Sequence, residues 1–381
     1  MNGIWYYAIA FVLIWVVAIV FKNKLEKHGV EIEFPVLMWK TRRLRGFIDK
    51  IANISPRFWK WFMNIGLVIC VFFMIFMAYS LVMSLSTIME TPNVSILLPG
   101  VEMPGSPIFI PFLFGFIGLI TVIVVHEFSH GILARAEKVN IKSIGLLLFT
   151  ILPGAFVEPD EDEMKKAKKS SKLRIFAAGS MANLTLAFIA FIIFFAIGNL
   201  AIPGAFEENG VEIQTVLDDA PASGILKKGM VIKSINNQDI HDSENYLNVL
   251  SNLKPNEEAT IVTDQGTFEI KLGTNPNNES RGYLGIQGEK HFELKDKSFG
   301  EIPWVLFELL ELFKWIFFLN FAVGTFNLLP MKPLDGGHIL ENLLRYKLPE
   351  KIVTPLVNYV SICFGIIIVF SIVYSFGMGI F

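Results

Sequence analysis

The chain has 381 residues, of which 53% are hydrophobic, 13% aromatic and only 18% charged, far more apolar than a soluble globular average. This balance excludes an ordinary soluble protein and points to the lipid bilayer as solvent, while the net charge of -2 says nothing for nucleic acid, which is not expected as a partner. Cys70 and Cys363, the only two cysteines, both sit inside apolar runs, so no disulfide framework is indicated and the redox compartment stays open.

In chain order, six apolar runs approach or exceed the roughly 18 residues needed to cross about 30 Å of hydrocarbon. They cover residues 3–21, 62–85, 108–134, 175–202, 312–329 and 352–380. The first has no positive region before it and no small-residue cleavage site after it, and reads as a retained anchor, not a signal peptide.

Lys and Arg residues cluster between these runs: ten within 22–60, nine within 135–174 and four within 332–351. Residues 83–107 and both chain ends have none. By the positive-inside rule the three basic loops face the cytoplasm. Both termini and the segment from about 203 to 303 then lie on the extracytoplasmic side of a multi-pass protein of the cell membrane.

Between Lys142 and Pro159 runs an apolar segment interrupted by Gly145, Pro153 and Gly154. It is too short to span and has basic flanks, so it is expected to dip in and return as a re-entrant element, the alternative being an amphipathic surface stretch. Residues 160–169 alternate acidic and basic groups four apart, as in Glu161 with Lys165, which a solvated helix face explains.

Residues 205–297 differ from their flanks, with strand-like stretches at 211–216 and 259–263 and turn-forming Gly, Asn and Pro between them. Asp219-Ala-Pro-Ala-Ser-Gly224 followed by Leu226-Lys-Lys-Gly-Met-Val-Ile-Lys-Ser-Ile-Asn-Asn237 resembles PDZ domains of the bacterial permuted type. That resemblance implies a groove binding extended peptide by strand addition; a spacer without a live groove is the alternative. Glu308, Glu311 and Lys314 among apolar residues point to an interfacial amphipathic helix over 301–314, with a gating role as the alternative. The expected fold is therefore a polytopic α-helical membrane protein of about six transmembrane helices, with a re-entrant segment and an inserted α+β PDZ-like domain. Its parts are an anchor and basic loop (1–61), a first core segment (62–204), the PDZ-like domain (205–297) and a second core segment with a last transmembrane helix (298–381).

Inside the third run stands Val124-Val-His126-Glu127-Phe-Ser-His130-Gly131. Residues four apart on a helix share a face, so His126 and His130 can offer two imidazoles to one metal with Glu127 beside it. That arrangement suits zinc (Zn2+) holding a water next to a general base. Ionisable groups within a membrane span cost several kcal/mol unless paired or metal-bound, so the cluster needs a purpose. A third protein ligand is required, and the topology offers Asp335, His338, Glu158 and Asp160 at similar depth. Asp335 ends Asn327-Leu-Leu-Pro330-Met-Lys-Pro333-Leu-Asp335-Gly-Gly337, where prolines and glycines break the helix and let backbone enter a cavity.

His-Glu-Phe-Ser-His together with Asn-x-x-Pro-x-x-Pro-Leu-Asp-Gly-Gly resembles the site-2 protease family of intramembrane metalloproteases, and the resemblance extends over about 108–346. It implies zinc held by His126, His130 and Asp335, Glu127 as the acid/base residue, and Asn327 as a substrate-positioning group. Gly179-Ser-Met-Ala-Asn183 looks like the family's Gly-x-x-x-Asn element, which adds Asn183 to substrate positioning, although Ser180 stands where Pro is common. The implied activity is zinc-dependent endopeptidase cleavage inside transmembrane substrates, typically single-span, in regulated intramembrane proteolysis. The substrate must be unwound first, held by an edge strand of the re-entrant segment or by strand pairing with an extended loop over 327–333. A secondary transporter and a scaffold with structural zinc are the competing readings.

Overall fold

The computed structural model describes residues 4–41, 44–87, 97–103, 106 and 108–378. Gly3 and Ile380, at the outer ends of two apolar runs, and residues 88–96, 104, 105 and 107 of the stretch without Lys or Arg lie outside the described residues. The chain forms two compact units, Phe195–Leu309 and the remainder.

The larger unit starts with helices α1 (Ile4–Val20) and α2 (Lys22–Lys27), strands β1 (Val30–Glu33) and β2 (Val36–Thr41), and helices α3 (Arg45–Ile54), α4 (Pro56–Thr87) and α5 (Phe112–Ala136). Strands β3 (Ile141–Phe149) and β4 (Leu152–Pro159) and helices α6 (Glu161–Lys166) and α7 (Lys169–Ala196) follow. Among the described residues, four helices are long and apolar enough to cross a membrane: Pro56–Ser86, Phe112–Ala136, Lys169–Ala205 and Glu350–Ser375. They coincide with four of the six expected runs. The first run forms the 17-residue helix α1 and the fifth forms most of a helix over Val305–Phe326, and a count of six depends on these two.

Small residues let the helices approach closely. A methyl group on Gly118 of α5 would come within 2.7 Å of the Leu319 Cδ1 and 3.3 Å of the Trp315 carbonyl, so any larger residue forces Leu319 or the helix pair to shift. The main core joins Ile48 and Ala52 of α3, Met63 and Cys70 of α4, Ile132 to Ala134 of α5, Ile141 and Ile144 of β3, and Ala177 and Ala178 of α7.

The 142–159 segment, expected to be re-entrant, forms most of an antiparallel hairpin. β3 and β4 complete a four-stranded sheet in the order β1-β2-β3-β4, so the loops on either side of the α4–α5 pair meet by hydrogen bonding. A side chain on Gly145 would strike the Phe156 ring and the Trp39 carbonyl, which is why glycine interrupts the apolar run there. Pro153, unable to donate to a ladder, sits on the edge strand β4. The hairpin tip is tied to α1: the Trp15 indole donates to the Thr150 carbonyl at 3.0 Å, and its ring packs edge-on against Phe34. In α6, Asp160 caps the backbone amides of Asp162 and Glu163, with acidic residues in the first turn and Lys165 and Lys166 in the last.

The second unit begins with the end of the long helix, a π-helical turn (Ile197–Ala201) and α8 (Ile202–Ala205). Then come β5 (Phe206–Val216), β6 (Val231–Ile235), β7 (Gln238–Asp239), α9 (Ser243–Asn252), β8 (Glu258–Thr263), β9 (Gly266–Lys271), β10 (Gly273–Asn275), β11 (Asn278–Tyr283) and β12 (Ile286–Leu294). Its main sheet runs β12-β5-β6-β8-β9 around a core of Ile213, Ile232, Ile235, Ile261 and Ile270. Alternating burial along β8 is the periodicity of a strand with one covered face. The chain continues through α10 (Val305–Phe326), the charged stretch of which is helical as expected, α11 (Asp335–Leu344) and α12 (Glu350–Met378).

At the end of α5, Glu137 accepts from Arg174 at 2.6 Å and Ser171 at 2.7 Å, with Lys60 at 3.6 Å. Burial raises the Glu137 pKa, but Arg174, Ser171 and Lys60 outweigh it and hold the carboxyl below its ordinary range. A depressed folded pKa stabilises the fold above the unfolded value near about 4.3, and the contribution is lost as pH falls through the folded value. Glu137→Gln is therefore expected to lower thermal stability at pH 7 and to flatten its decline below about pH 4.5, as read from melting curves of the detergent-solubilised protein.

Candidate metal centre

His126, Glu127 and His130 lie in the last three turns of α5. The two imidazoles project from one face, ring centroids 4.9 Å apart, as a four-residue spacing requires. Asp335 comes from the other end of the chain. After α10 the backbone folds into the turn 327–334, where the Gly336 amide donates to the Asn327 carbonyl at 2.8 Å. Side chains on Gly336 or Gly337 would collide with the backbone of Leu328, Leu329 and Met331, so the double glycine permits the turn that delivers Asp335. The 327–333 segment expected to be extended is thus compact. Asp335 opens α11, where the helix dipole favours a carboxylate.

One oxygen of Asp335 faces each imidazole, Oδ2 at 3.5 Å from His126 Nε2 and Oδ1 at 3.4 Å from His130 Nε2. The two Nε2 atoms are 3.2 Å apart. Zinc bonds of about 2.0–2.1 Å at tetrahedral angles place ligand atoms roughly 3.3 Å from one another, so these three side chains have the spacing of a metal cradle. All three are only 12–14% exposed.

α7 backs the cradle. The Ile175 carbonyl lies 2.7 Å from His130 Nδ1, Ser180 Oγ donates to Asp335 Oδ2 at 2.9 Å, and Asn183 Nδ2 stands 3.2 Å from His126 Nδ1. Gly179 lies between them against both rings, where a methyl group would come within 2.7 Å of His126. Glu127 is tethered by the β4 edge, its Oε2 accepting from the Val157 amide at 3.1 Å.

Of the four sequence candidates for a third ligand, only Asp335 joins the histidines among the described residues. His338 stacks on Phe176 with ring centroids 4.7 Å apart, Glu158 accepts from Ser143 across the sheet, and Asp160 caps α6. Asn327 is half-buried, its side chain without a hydrogen-bond partner among the described residues. Ile175 and the Val157 amide were not singled out from sequence, and Ser180 only as a departure from the family's Gly-x-x-x-Asn element. Spacing on α7, with 175, 179 and 183 four apart, places Ile175 on the same face as Asn183; backbone donors such as Val157 carry no residue-type signal at all.

A sequence model of peptidase family M50 matches residues 114–368. An uncharacterized protein of Methanocaldococcus jannaschii is 28% identical over 332 residues, 86% of this chain and 82% of that protein. A membrane-bound transcription factor site-2 protease homolog of Arabidopsis thaliana is 23% identical over 167 residues, 44% of this chain and 32% of that protein. The PDZ domain of an SdrC-like protein from Listeria innocua is similar at 27% identity, over 22% of this chain and 96% of that domain, with a TM-score of 0.20.

Gly179→Ala is expected to push the imidazoles off the cradle and weaken metal binding by roughly tenfold or more, measured by chelator competition on the purified protein.

Proposed function

The chain belongs to peptidase family M50, the site-2 protease family, and we propose that it is a zinc-dependent endopeptidase cutting peptide bonds within transmembrane segments of membrane proteins, in regulated intramembrane proteolysis. The observation that carries this reading is the meeting of His126, His130 and Asp335 at ligand spacing beside Glu127. His126, His130 and Asp335 would hold the zinc, which would supply Lewis acidity to the scissile carbonyl and to a water. Glu127 takes the proton of the attacking water and returns it to the leaving nitrogen. Asn327 positions the substrate peptide from the turn beside Asp335.

A helical substrate has its carbonyls engaged in its own hydrogen bonds, so it must open before attack. β4 is an edge strand whose Val157 amide points at Glu127, and an unwound segment pairing along that edge has its backbone delivered to the acid/base residue. The hairpin enters the bilayer as a re-entrant element, supported by the Trp15 bond to its tip. The four-strand ladder satisfies the backbone of the inner strands at that depth and leaves the β4 edge for pairing, apart from the Val157 amide given to Glu127.

The orientation is cytoplasmic for the site and extracytoplasmic for both termini and the PDZ-like domain, in the cell membrane. It is supported by the shared sheet of two basic loops and by the Lys169 ammonium donating to the Arg345 carbonyl of the third. In the PDZ-like unit, edge strand β12 starts at a cavity of about 220 Å³ lined by Tyr246, Leu247, Leu250 and Leu284. A partner peptide adds to that edge with an apolar side chain in the cavity.

Glu127→Gln is expected to retain metal and abolish cleavage of a single-span test protein, and Asp335→Asn to lower zinc content, both measured in detergent. Unchanged cleavage by Glu127→Gln excludes the mechanism; metal flux lost without any proteolysis in the wild type favours a transporter. A photo-cross-linker at Ala155 of β4 or at Met331 is expected to capture substrate, and capture at neither position would end the strand-pairing model.

A further inference from the structure

Metal cradles depend on groups that aim the ligands, and this one is aimed from a single helix. His130 is settled by the main chain: with Nδ1–H donating to the Ile175 carbonyl, its Nε2 lone pair faces Asp335 and His126. The other two ligands lean on side chains. Ser180 is wholly buried and its hydroxyl reaches Asp335 Oδ2.

Asn183 is also wholly buried, and its Oδ1 has no hydrogen-bond partner while its Nδ2 faces His126 Nδ1. Such a pairing puts the imidazole proton on Nε2, the atom that faces the cradle. A ligand imidazole needs the opposite tautomer, with Nε2 bare and Nδ1 carrying the proton. Turning the Asn183 amide by half a rotation about its terminal bond exchanges nitrogen and oxygen, and the orphaned Oδ1 then accepts from Nδ1–H.

We propose that Ser180 and Asn183, three residues apart on one face of α7, are positioning residues for the metal ligands, Ser180 Oγ donating to Asp335 and the Asn183 amide oxygen accepting the Nδ1 proton of His126. The inference rests on the reading of His126, His130 and Asp335 as ligands and extends it. It places Asn183 on the metal side of the site, where the family resemblance had put it on the substrate side. It also gives Ser180 a task that no proline could perform, because proline has no hydroxyl to donate.

The test is zinc affinity of the full-length protein in detergent, measured by competition with a fluorescent chelator, for Ser180→Ala, Ser180→Thr, Asn183→Leu and Asn183→Asp, with His126→Ala as the control. Ser180→Ala and Asn183→Leu are expected to weaken zinc binding about 10- to 100-fold. Ser180→Thr keeps the hydroxyl, and Asn183→Asp keeps an acceptor, so both are expected to stay within a few-fold of wild type. Equal weakening by Asn183→Leu and Asn183→Asp, or by Ser180→Ala and Ser180→Thr, overturns the proposal in favour of plain packing. Wild-type zinc affinity in Asn183→Leu with cleavage lost overturns it in favour of a substrate contact. If His126→Ala itself keeps zinc, the ligand assignment fails; if only that control loses zinc, the ligand assignment stands and the positioning roles fall.

Discussion

Three polar side chains converge inside an otherwise apolar helical unit, and the rest of the structure follows from making that tolerable. Imidazoles and carboxylates within a membrane span cost several kcal/mol when left alone. Here each finds the others at 3.2–3.5 Å, and each is held from behind by α7. Glycines mark where this convergence is tightest. Gly179 leaves room for both imidazoles, and Gly336 and Gly337 let the turn after α10 fold back far enough for Asp335 to arrive.

A β-sheet inside such a protein is less expected, because open strand edges are costly in lipid. The sheet answers this by recruiting its strands from two separate loops, so that only β1 and β4 are edges, and by giving one amide of the β4 edge to Glu127. The same edge is a template for strand addition. Protecting the hairpin and leaving one edge open to strand addition are two consequences of one arrangement.

The charged groups at the helix ends have a different task. Glu137 with Arg174 and Lys60, and Glu341 with Lys332 and Arg345, tie neighbouring elements together away from the metal cradle. The partners of Glu137 come from distant parts of the chain and join α5 to α4 and α7, whereas Lys332 joins the 327–334 turn to the nearby α11.

What the amino-acid order determined by itself is whatever depends on short separations: the apolar run lengths, the shared face of His126 and His130, the Pro- and Gly-broken segment ending in Asp335, and the strand-like alternation of 205–297. These follow from a 1.5 Å rise, a 3.6-residue turn and a two-residue pleat, which neighbouring residues set among themselves. Spacing left Asp335, His338, Glu158 and Asp160 open, the family resemblance implied Asp335, and the tertiary structure brings Asp335 to the imidazoles; tertiary structure alone decided that the 142–159 segment is a hairpin paired with residues 36–41, and that Ser180 and the Val157 amide lie at the site. Those meetings join residues 30 to 209 positions apart, and at such distances the partner is chosen by helix packing and strand register, which no local pattern encodes.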